Sequence, residues 1–190
     1  MNANVGMVYP VAATVQTYTP GSSISYKSPG SNFAEAVSAS LSWERADGHF
    51  YGDDCELDSD NGVLGYTIDF EPTGLSDSAR ALLLGETVSS SEYTINDKAA
   101  PDVGFGYVRV MRDKGTVSYE GWWFYKVKFG VSSEETRTKE RSVEWRVPTL
   151  QGTGAGVSLD NTGTLEFCLH KTFTALSDAK SWLNGKAGIT

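Results

Sequence analysis

The densest cluster of ionisable side chains in the sequence is an acidic run between residues 47 and 60. It contains six carboxylates and no lysine or arginine; the six are Asp47, Asp53, Asp54, Glu56, Asp58 and Asp60. Carboxylates at alternate positions can bind Ca²⁺, and Asp58-x-Asp60 begins like an EF-hand loop. Gly62 then takes the place of the third ligand, and no glutamate stands at the twelfth position. The EF-hand pattern fails, and weak, nonspecific cation binding is the most that this run predicts.

The two cysteines and two histidines are the next candidates for catalysis. Cys168 and His170 would share one face of a strand and therefore resemble a Cys–His dyad, but residues two apart are neighbours on any strand. Neither histidine lies in a hydrolase motif, and no nucleophile elbow, Walker, dinucleotide or zinc pattern occurs. The 24 acidic residues do not single out the carboxylate pair of a glycosidase. We therefore expect no enzyme, no catalytic residue and no cofactor.

Charge is divided unevenly along the chain. Residues 1–104 carry four basic and fifteen acidic residues, a net charge of −11, whereas residues 105–190 carry twelve and nine, a net charge of +3. An acidic chain of net charge −8 lacks the concentrated basic surface that nucleic-acid binding requires. The imbalance predicts either attraction between unlike surfaces of neighbouring copies or a surface with both signs scattered over it.

Alternating apolar residues and frequent turn residues predict antiparallel strands. Residues 37–43 and 64–70 alternate in polarity as half-buried strands do. Residues 103–111 and 119–129 flank the turn Asp113-Lys114-Gly115 and predict a hairpin. In its second strand, one face is predicted to hold four apolar side chains, those of Trp123, Tyr125, Val127 and Phe129.

Two short helices and an irregular N-terminal region complete the pattern. The helices are predicted at residues 75–85, with Ser76 as cap and Gly85 as stop, and at residues 176–184, with Ser177 and Gly185 in these roles. Residues 1–33 are rich in Gly, Ser, Thr and Pro, and they predict either an extended N-terminal arm or a strand with an irregular loop.

Length and composition bound the class of protein. At 190 residues the chain can bury one core, so a single domain is expected. The sequence contains no apolar run long enough for a transmembrane helix. Its first 13 residues lack the basic and apolar segments of a secretory signal. Cys55 and Cys168 are therefore expected to be reduced thiols.

Several stretches, in order, resemble the major tail protein family of long-tailed, siphovirus-type bacteriophages. They are residues 47–54 with 64–68, the helix end Leu82-Leu83-Leu84-Gly85, and residues 103–107 and 123–129 followed by 137–140 and 148–152. Order and spacing agree across about residues 35–155. The order of these stretches is more specific to the family than any one of them.

The resemblance implies a structural virion protein that polymerises as stacked, hexameric rings into a tail tube for genome delivery. The fold it implies is an antiparallel β-sandwich or half-barrel with one or two short flanking α-helices, formed as one tail-tube domain over residues 1–190. The implied partners are further copies of the chain and the tape measure, tail terminator and distal tail proteins. DNA is expected to pass without specific binding, and no membrane is involved. The implied location is the virion tail, and the host cytoplasm during assembly.

In such a tube, the acidic inter-strand loop at residues 47–60 has two places where its charge is tolerated. It faces the lumen, where it repels DNA, or it lies at the contact between rings. We predict the contact between rings, because the C-terminal half supplies basic residues. The candidate partners are Lys126, Lys128, Arg137, Lys139 and Arg141.

The alternative class is a carbohydrate-binding β-sandwich module or tail-associated adhesin. Trp43, Trp122, Trp123 and Trp145 could supply stacking surfaces for sugar rings. These residues fall mostly on the apolar side of alternating strands, where packing in the core is favoured.

Overall fold

Alternation of apolar and polar residues makes most of the chain into strands. The computed structural model describes residues 3–33, 35–53, 55–89, 92–95, 97, 99–133 and 147–189. The strands are β1 (Ala3–Thr19), β2 (Ser23–Tyr26), β3 (Ser31–Asn32), β4 (Ala36–Arg45), β5 (Gly48–Gly52), β6 (Cys55–Asp60), β7 (Val63–Pro72), β8 (Thr87–Ser89), β9 (Glu92–Thr94), β10 (Val103–Asp113), β11 (Thr116–Ser133), β12 (Thr149–Ala155) and β13 (Cys168–Phe173). The helices are α1 (Asp77–Leu84) and α2 (Leu176–Ala187).

Nine of these strands form one antiparallel sheet in the order β2-β1-β10-β11-β12-β7-β4. Strand β3 pairs with β1, and β13 pairs with the first half of β11, whose second half pairs with β12. Strand β4 lies against β1 without a ladder between them, so the sheet curls toward a half-barrel. The predicted mainly β, antiparallel fold with two short helices is confirmed.

The curled sheet has a core on each face. The inner core lies between the two halves of the sheet under α1; its largest side chains are Tyr66, Phe70, Phe105, Tyr107 and Phe124. The outer core lies between α2 and β1, β10 and β11, around Trp123 and Leu183. Gly104 and Gly106 leave the space that the Trp123 ring fills, because a Cβ at either position would overlap it.

A bulge in β11 decides which residues enter which core. Phe105 pairs with Phe124, but Val103, two residues earlier, pairs with Val127, three residues later. An extra residue on one strand moves the following side chains to the other face. The predicted single face is therefore wrong: Trp123 and Tyr125 pack in the outer core, whereas Val127 and Phe129 pack in the inner core.

The first helix is as predicted. In α1 the Ser76 Oγ accepts a hydrogen bond from the Ala79 amide at 3.3 Å, and Gly85 adopts a left-handed φ of 70°. Both features stabilise helix ends, since they satisfy amides at the start and permit the chain to reverse at the stop.

The second helix begins at Leu176 as predicted, but its predicted cap and its predicted end are wrong. The N-cap position is Ala175 and not Ser177, whose Oγ donates to the Asp178 carboxylate and caps no amide. It continues through Gly185 to Gly188, whose φ is 66°. A glycine inside a helix costs about 1 kcal/mol, and burial of the Ala187 side chain beyond it offsets this cost.

The N-terminal region forms part of the sheet, so the strand alternative is correct and the extended arm is wrong. Strand β1 pairs with β10 from Ala3 to Thr14, and Val11, Ala12 and Ala13 are wholly buried. Three consecutive buried residues give no alternation in the sequence, because both faces of β1 are covered here.

We predict that Leu83→Ala destabilises the protein by about 2–5 kcal/mol, because Leu83 is 0% exposed and its removal leaves a cavity in the inner core. The control is Leu64→Ala, since Leu64 is 60% exposed. Denaturant unfolding followed by circular dichroism measures both. Equal losses in the two variants would contradict the assignment of the core.

We also predict loss of stability above about pH 10, the ordinary pKa of tyrosine. Burial raises the pKa of Tyr66 and Tyr107 above this value. Above pH 10 the unfolded chain releases protons that the folded chain retains, so the free energy of unfolding falls as pH rises, and it is unaffected below pH 10. The part of the tyrosinate absorbance that comes from Tyr66 and Tyr107 should therefore appear together with unfolding. The double variant Tyr66→Phe/Tyr107→Phe should show a shallower decline, and an unchanged slope would contradict the prediction.

Candidate assembly surfaces

The acidic inter-strand segment forms a regular hairpin. Strands β5 and β6 pair with each other, from Gly48 with Asp60 to Gly52 with Cys55, and form a two-stranded sheet of their own. The hairpin continues from β4 and β7 beyond a hydrogen bond between the Ala46 amide and the Gly62 carbonyl. Its strands contain Phe50 and Tyr51, and aromatic residues favour strands even in a strongly acidic segment.

The described carboxylates of this hairpin face solvent. The Asp47 side chain is 92% exposed, and its Oδ1 lies 3.0 Å from the His49 Nε2. Asp53 and Asp60 are also exposed, and the Asp60 Oδ1 accepts a hydrogen bond from the Gly62 amide at 2.9 Å. Asp54 and the side chains of Glu56 and Asp58 lie outside the described part. The hairpin thus presents negative charge at the surface, as a contact for a cationic partner requires.

The predicted basic partners Lys126 and Lys128 already share a carboxylate in their own subunit. The Asp102 carboxylate lies 3.4 Å from the Lys126 Nζ and 3.7 Å from the Lys128 Nζ. Lys126 also lies over the Tyr18 ring, at 5.3 Å from its centroid. One carboxylate leaves one positive charge of the two available to a neighbour. The sequence did not indicate Asp102 as a partner, because only the pairing of β10 with β11 brings it to these lysines.

The other predicted basic partners cannot be placed. Arg137, Lys139 and Arg141 lie outside the described residues, within 134–146. The hypothesis that they meet the acidic hairpin therefore stays a prediction.

Three lysines that were not predicted as partners from the sequence lie around α2. The Nζ atoms of Lys171, Lys180 and Lys186 lie over the rings of Phe173, Tyr9 and Trp182, at 5.4, 4.9 and 5.8 Å from the ring centroids. These six residues are called the lysine–aromatic face below. Within the described residues, none of the three lysines has a carboxylate within ion-pair distance. In the sequence, the alternation of lysines with aromatic residues along 171–186 was the signal that could have indicated this face.

The β4 edge of the sheet is open within the described part of the chain. Strand β4 has ten residues and one ladder, with β7, and none of its residues is buried. Val37 is 55% exposed and Trp43 is 38% exposed. Unpaired edges with apolar side chains are templates for pairing with another chain.

Beside Trp43 the inner core reaches the surface. The Trp43 ring contacts Tyr66 and Phe167 edge-on, with centroid distances of 5.6 and 6.0 Å. Leu64, at the end of the same face of β7, and Leu165, near Phe167, are more than half exposed. Contiguous exposed apolar side chains of this kind indicate an interaction surface.

Among the four tryptophans named as candidates for sugar stacking, those that are described offer little surface for a sugar ring. Trp123 is buried, and Trp122 is held between Arg109 at 4.4 Å and His170 at 4.9 Å, which come from the strands on either side of β11. Trp43 retains partial exposure, and Trp145 lies outside the described residues. The placement of these rings favours packing over sugar stacking.

The Cys168–His170 pair lacks the electrostatics of a catalytic dyad. Cys168 packs against the inner core, and burial raises the pKa of its thiol. A nucleophilic cysteine requires the opposite shift. His170 lies on the same strand, stacked on Trp122.

A pocket of about 370 Å³ beside the end of α1 has mainly apolar walls. Its charged lining residue, Glu86, lies 3.5 Å from Arg80, and the second oxygen of Glu86 has no hydrogen-bond partner among the described residues. Within those residues, no group of three or more metal-ligating side chains converges, and no helix has the length and hydropathy to cross a membrane. Among the described residues, the pocket therefore contributes a largely buried ion pair.

The two thiols should react at different rates. Cys55 is exposed in the hairpin, whereas Cys168 is half-buried and its thiol has a raised pKa. A small aromatic disulfide reagent at pH 8 should therefore release one equivalent of its aromatic thiolate quickly, by reaction with Cys55, and a second equivalent slowly, by reaction with Cys168. Cys55→Ser should remove the fast phase, and Cys168→Ser the slow one. Two equal rates would contradict the burial of Cys168.

Comparison with known proteins gives no relative. No family model, no curated protein and no solved structure matches the chain. The resemblance to phage tail proteins thus depends on the sequence stretches alone, whereas the mainly β fold is established by the structure.

Proposed function

We propose that this chain is a structural, non-enzymatic protein that self-assembles into stacked rings and forms the tail tube of a long-tailed bacteriophage. The observation that carries the proposal is the β4 edge, which has no second ladder within the described residues and lies beside an exposed apolar surface. The order of the family-like stretches in the sequence supports the same class. Its partners in the virion are further copies and the tape measure, tail terminator and distal tail proteins.

The open edge favours association with a second copy. An exposed strand has backbone donors and acceptors that another strand can satisfy, and Val37 and Trp43 add apolar area to such a contact. When the pairing surface and its complement lie on different parts of one chain, copies join head to tail and close into rings or extend as filaments. A tube of stacked rings combines both outcomes.

The outer face of the β4–β7–β12 part of the sheet suits the wall of a conduit for DNA. Its side chains are hydroxyls, amides and carboxylates, joined by a Ser38–Glu71 hydrogen bond of 2.7 Å and a Gln151–Asp69 hydrogen bond of 2.9 Å. Neither α1 nor α2 packs on this face. Polar groups with negative charge do not retain a polyanion by counterion release, so DNA passes without specific binding.

Self-assembly is tested by sedimentation over a wide range of protein concentrations and by electron microscopy of the concentrated protein. We expect rings or tubes for the wild type and for Val37→Thr, which keeps a β-branched residue on the edge. Val37→Lys should reduce assembly strongly, since a charged edge opposes strand pairing. Thermal unfolding of both variants checks that the monomer still folds.

A wild type that remains monomeric at every concentration, with no tubes, would contradict the proposal. A monomer that instead binds glycans would favour the carbohydrate-binding alternative, and glycan turnover would identify an enzyme.

A further inference from the structure

We infer that the lysine–aromatic face around α2 is the docking surface for the acidic hairpin of a second copy. This inference rests on the proposed self-assembly and names the surfaces that join one copy to the next. It replaces Lys126 and Lys128 as the main partners of the hairpin, because Asp102 already neutralises much of their charge.

Aromatic rings lie under the three lysines, and no carboxylate of the described residues is within ion-pair distance of them. The rings of Phe173 and Trp182 contact each other with centroids 5.9 Å apart, so Lys171 and Lys186 belong to one continuous surface. On the other flank of α2, the Tyr9 hydroxyl donates to Asn184 at 2.8 Å and positions the ring under Lys180. Aromatic rings hold the ammonium groups but provide no hydrogen-bond acceptor of carboxylate strength, so the N–H groups remain available to an anionic partner.

The helix surface between these flanks consists of small residues. Ser177, Ser181 and Gly185 are exposed and spaced by four, so they form one stripe along α2. A side chain added at Gly185 would meet no atom within 4 Å. The one carboxylate on α2, Asp178, lies in the first turn, at the end of the helix away from Lys186.

The acidic hairpin has the complementary charge. It is a narrow two-stranded ribbon with six carboxylates and no lysine or arginine between residues 47 and 60. Helix α2 packs on β1, β10, β11 and β13, whereas the hairpin continues from β4 and β7. The two surfaces thus belong to different parts of the fold, and their contact between copies is heterologous and repeats from copy to copy.

Charge exchange tests the contact. We expect Lys180→Glu/Lys186→Glu, and separately Asp47→Lys/Asp53→Lys, to raise the concentration needed for tube formation at least tenfold. Combining all four substitutions in one chain should restore assembly. The matched control, Lys180→Arg/Lys186→Arg, keeps the charge and should assemble normally. Wild-type assembly should weaken as salt is added, since surface charges are screened.

A disulfide provides a second readout that does not require tubes. Cys55 lies at the start of β6 in the hairpin, so Ser181→Cys in a Cys168→Ser background should form an intermolecular disulfide with Cys55 on mild oxidation at high concentration. The control is Ser38→Cys, an exposed residue of β4 away from α2, which should not cross-link with Cys55.

The outcomes separate this inference from the proposed function. If Lys180→Glu/Lys186→Glu forms tubes normally, the docking contact is overturned, whereas the proposed tail tube is not contradicted. A wild type that never assembles would contradict the proposed tube. The disulfide would then decide the docking contact: formation of a cross-link between Cys55 and the cysteine introduced by Ser181→Cys supports the contact, and absence of this cross-link overturns it. A third outcome concerns nucleic acid. If the wild type binds a DNA oligonucleotide, and Lys180→Glu/Lys186→Glu abolishes this binding but leaves assembly unchanged, the face is assigned to nucleic acid and the inference is overturned.

Discussion

The structure depends on strand β11 and on the bulge within it. The strand is 18 residues long, pairs with β10 on one side and pairs with β13 and then β12 on the other, so the two halves of the sheet meet along it. The bulge lets one strand serve two cores, since Trp123 enters the outer core and Phe124 and Val127 enter the inner one. Without the extra residue, strict alternation along β11 would place the apolar side chains of one half of the strand on the wrong face of the sheet.

The same pairing sets the electrostatics of the surface. The register of β10 with β11 brings Asp102 to the lysines at the end of the bulged segment and neutralises much of their charge. No comparable carboxylate reaches the lysines around α2 among the described residues, where aromatic rings hold them instead. A chain with excess negative charge therefore retains a localised cationic face. Contacts between copies can then be oriented by charge although each copy repels the others on average.

The two cores are built of apolar side chains, whereas the edges of the subunit lack partners within the described residues. Within the described residues, every buried residue of the two cores is apolar or aromatic. In contrast, among the described strands β4 pairs only with β7 and the acidic hairpin pairs only with itself, and Trp43 on β4 is exposed. A monomeric protein usually protects such edges with charge, proline or a covering element. An assembling protein gains from leaving them open, because the neighbour supplies the missing partners.

The sequence by itself determined the features that depend on nearby residues. Alternation predicted β4, β7 and the β10–β11 hairpin, and the Ser76 cap and Gly85 stop predicted α1, because each signal acts within one strand, turn or helix. Tertiary structure decided the rest. Strand β1 gave no pattern because both of its faces are covered, α2 passes Gly185 because Ala187 is buried beyond it, and Asp102 meets its lysines only after β10 and β11 pair. The face switch at Val127 likewise follows from pairing between strands, and such long-range constraints leave no periodic signal in the chain.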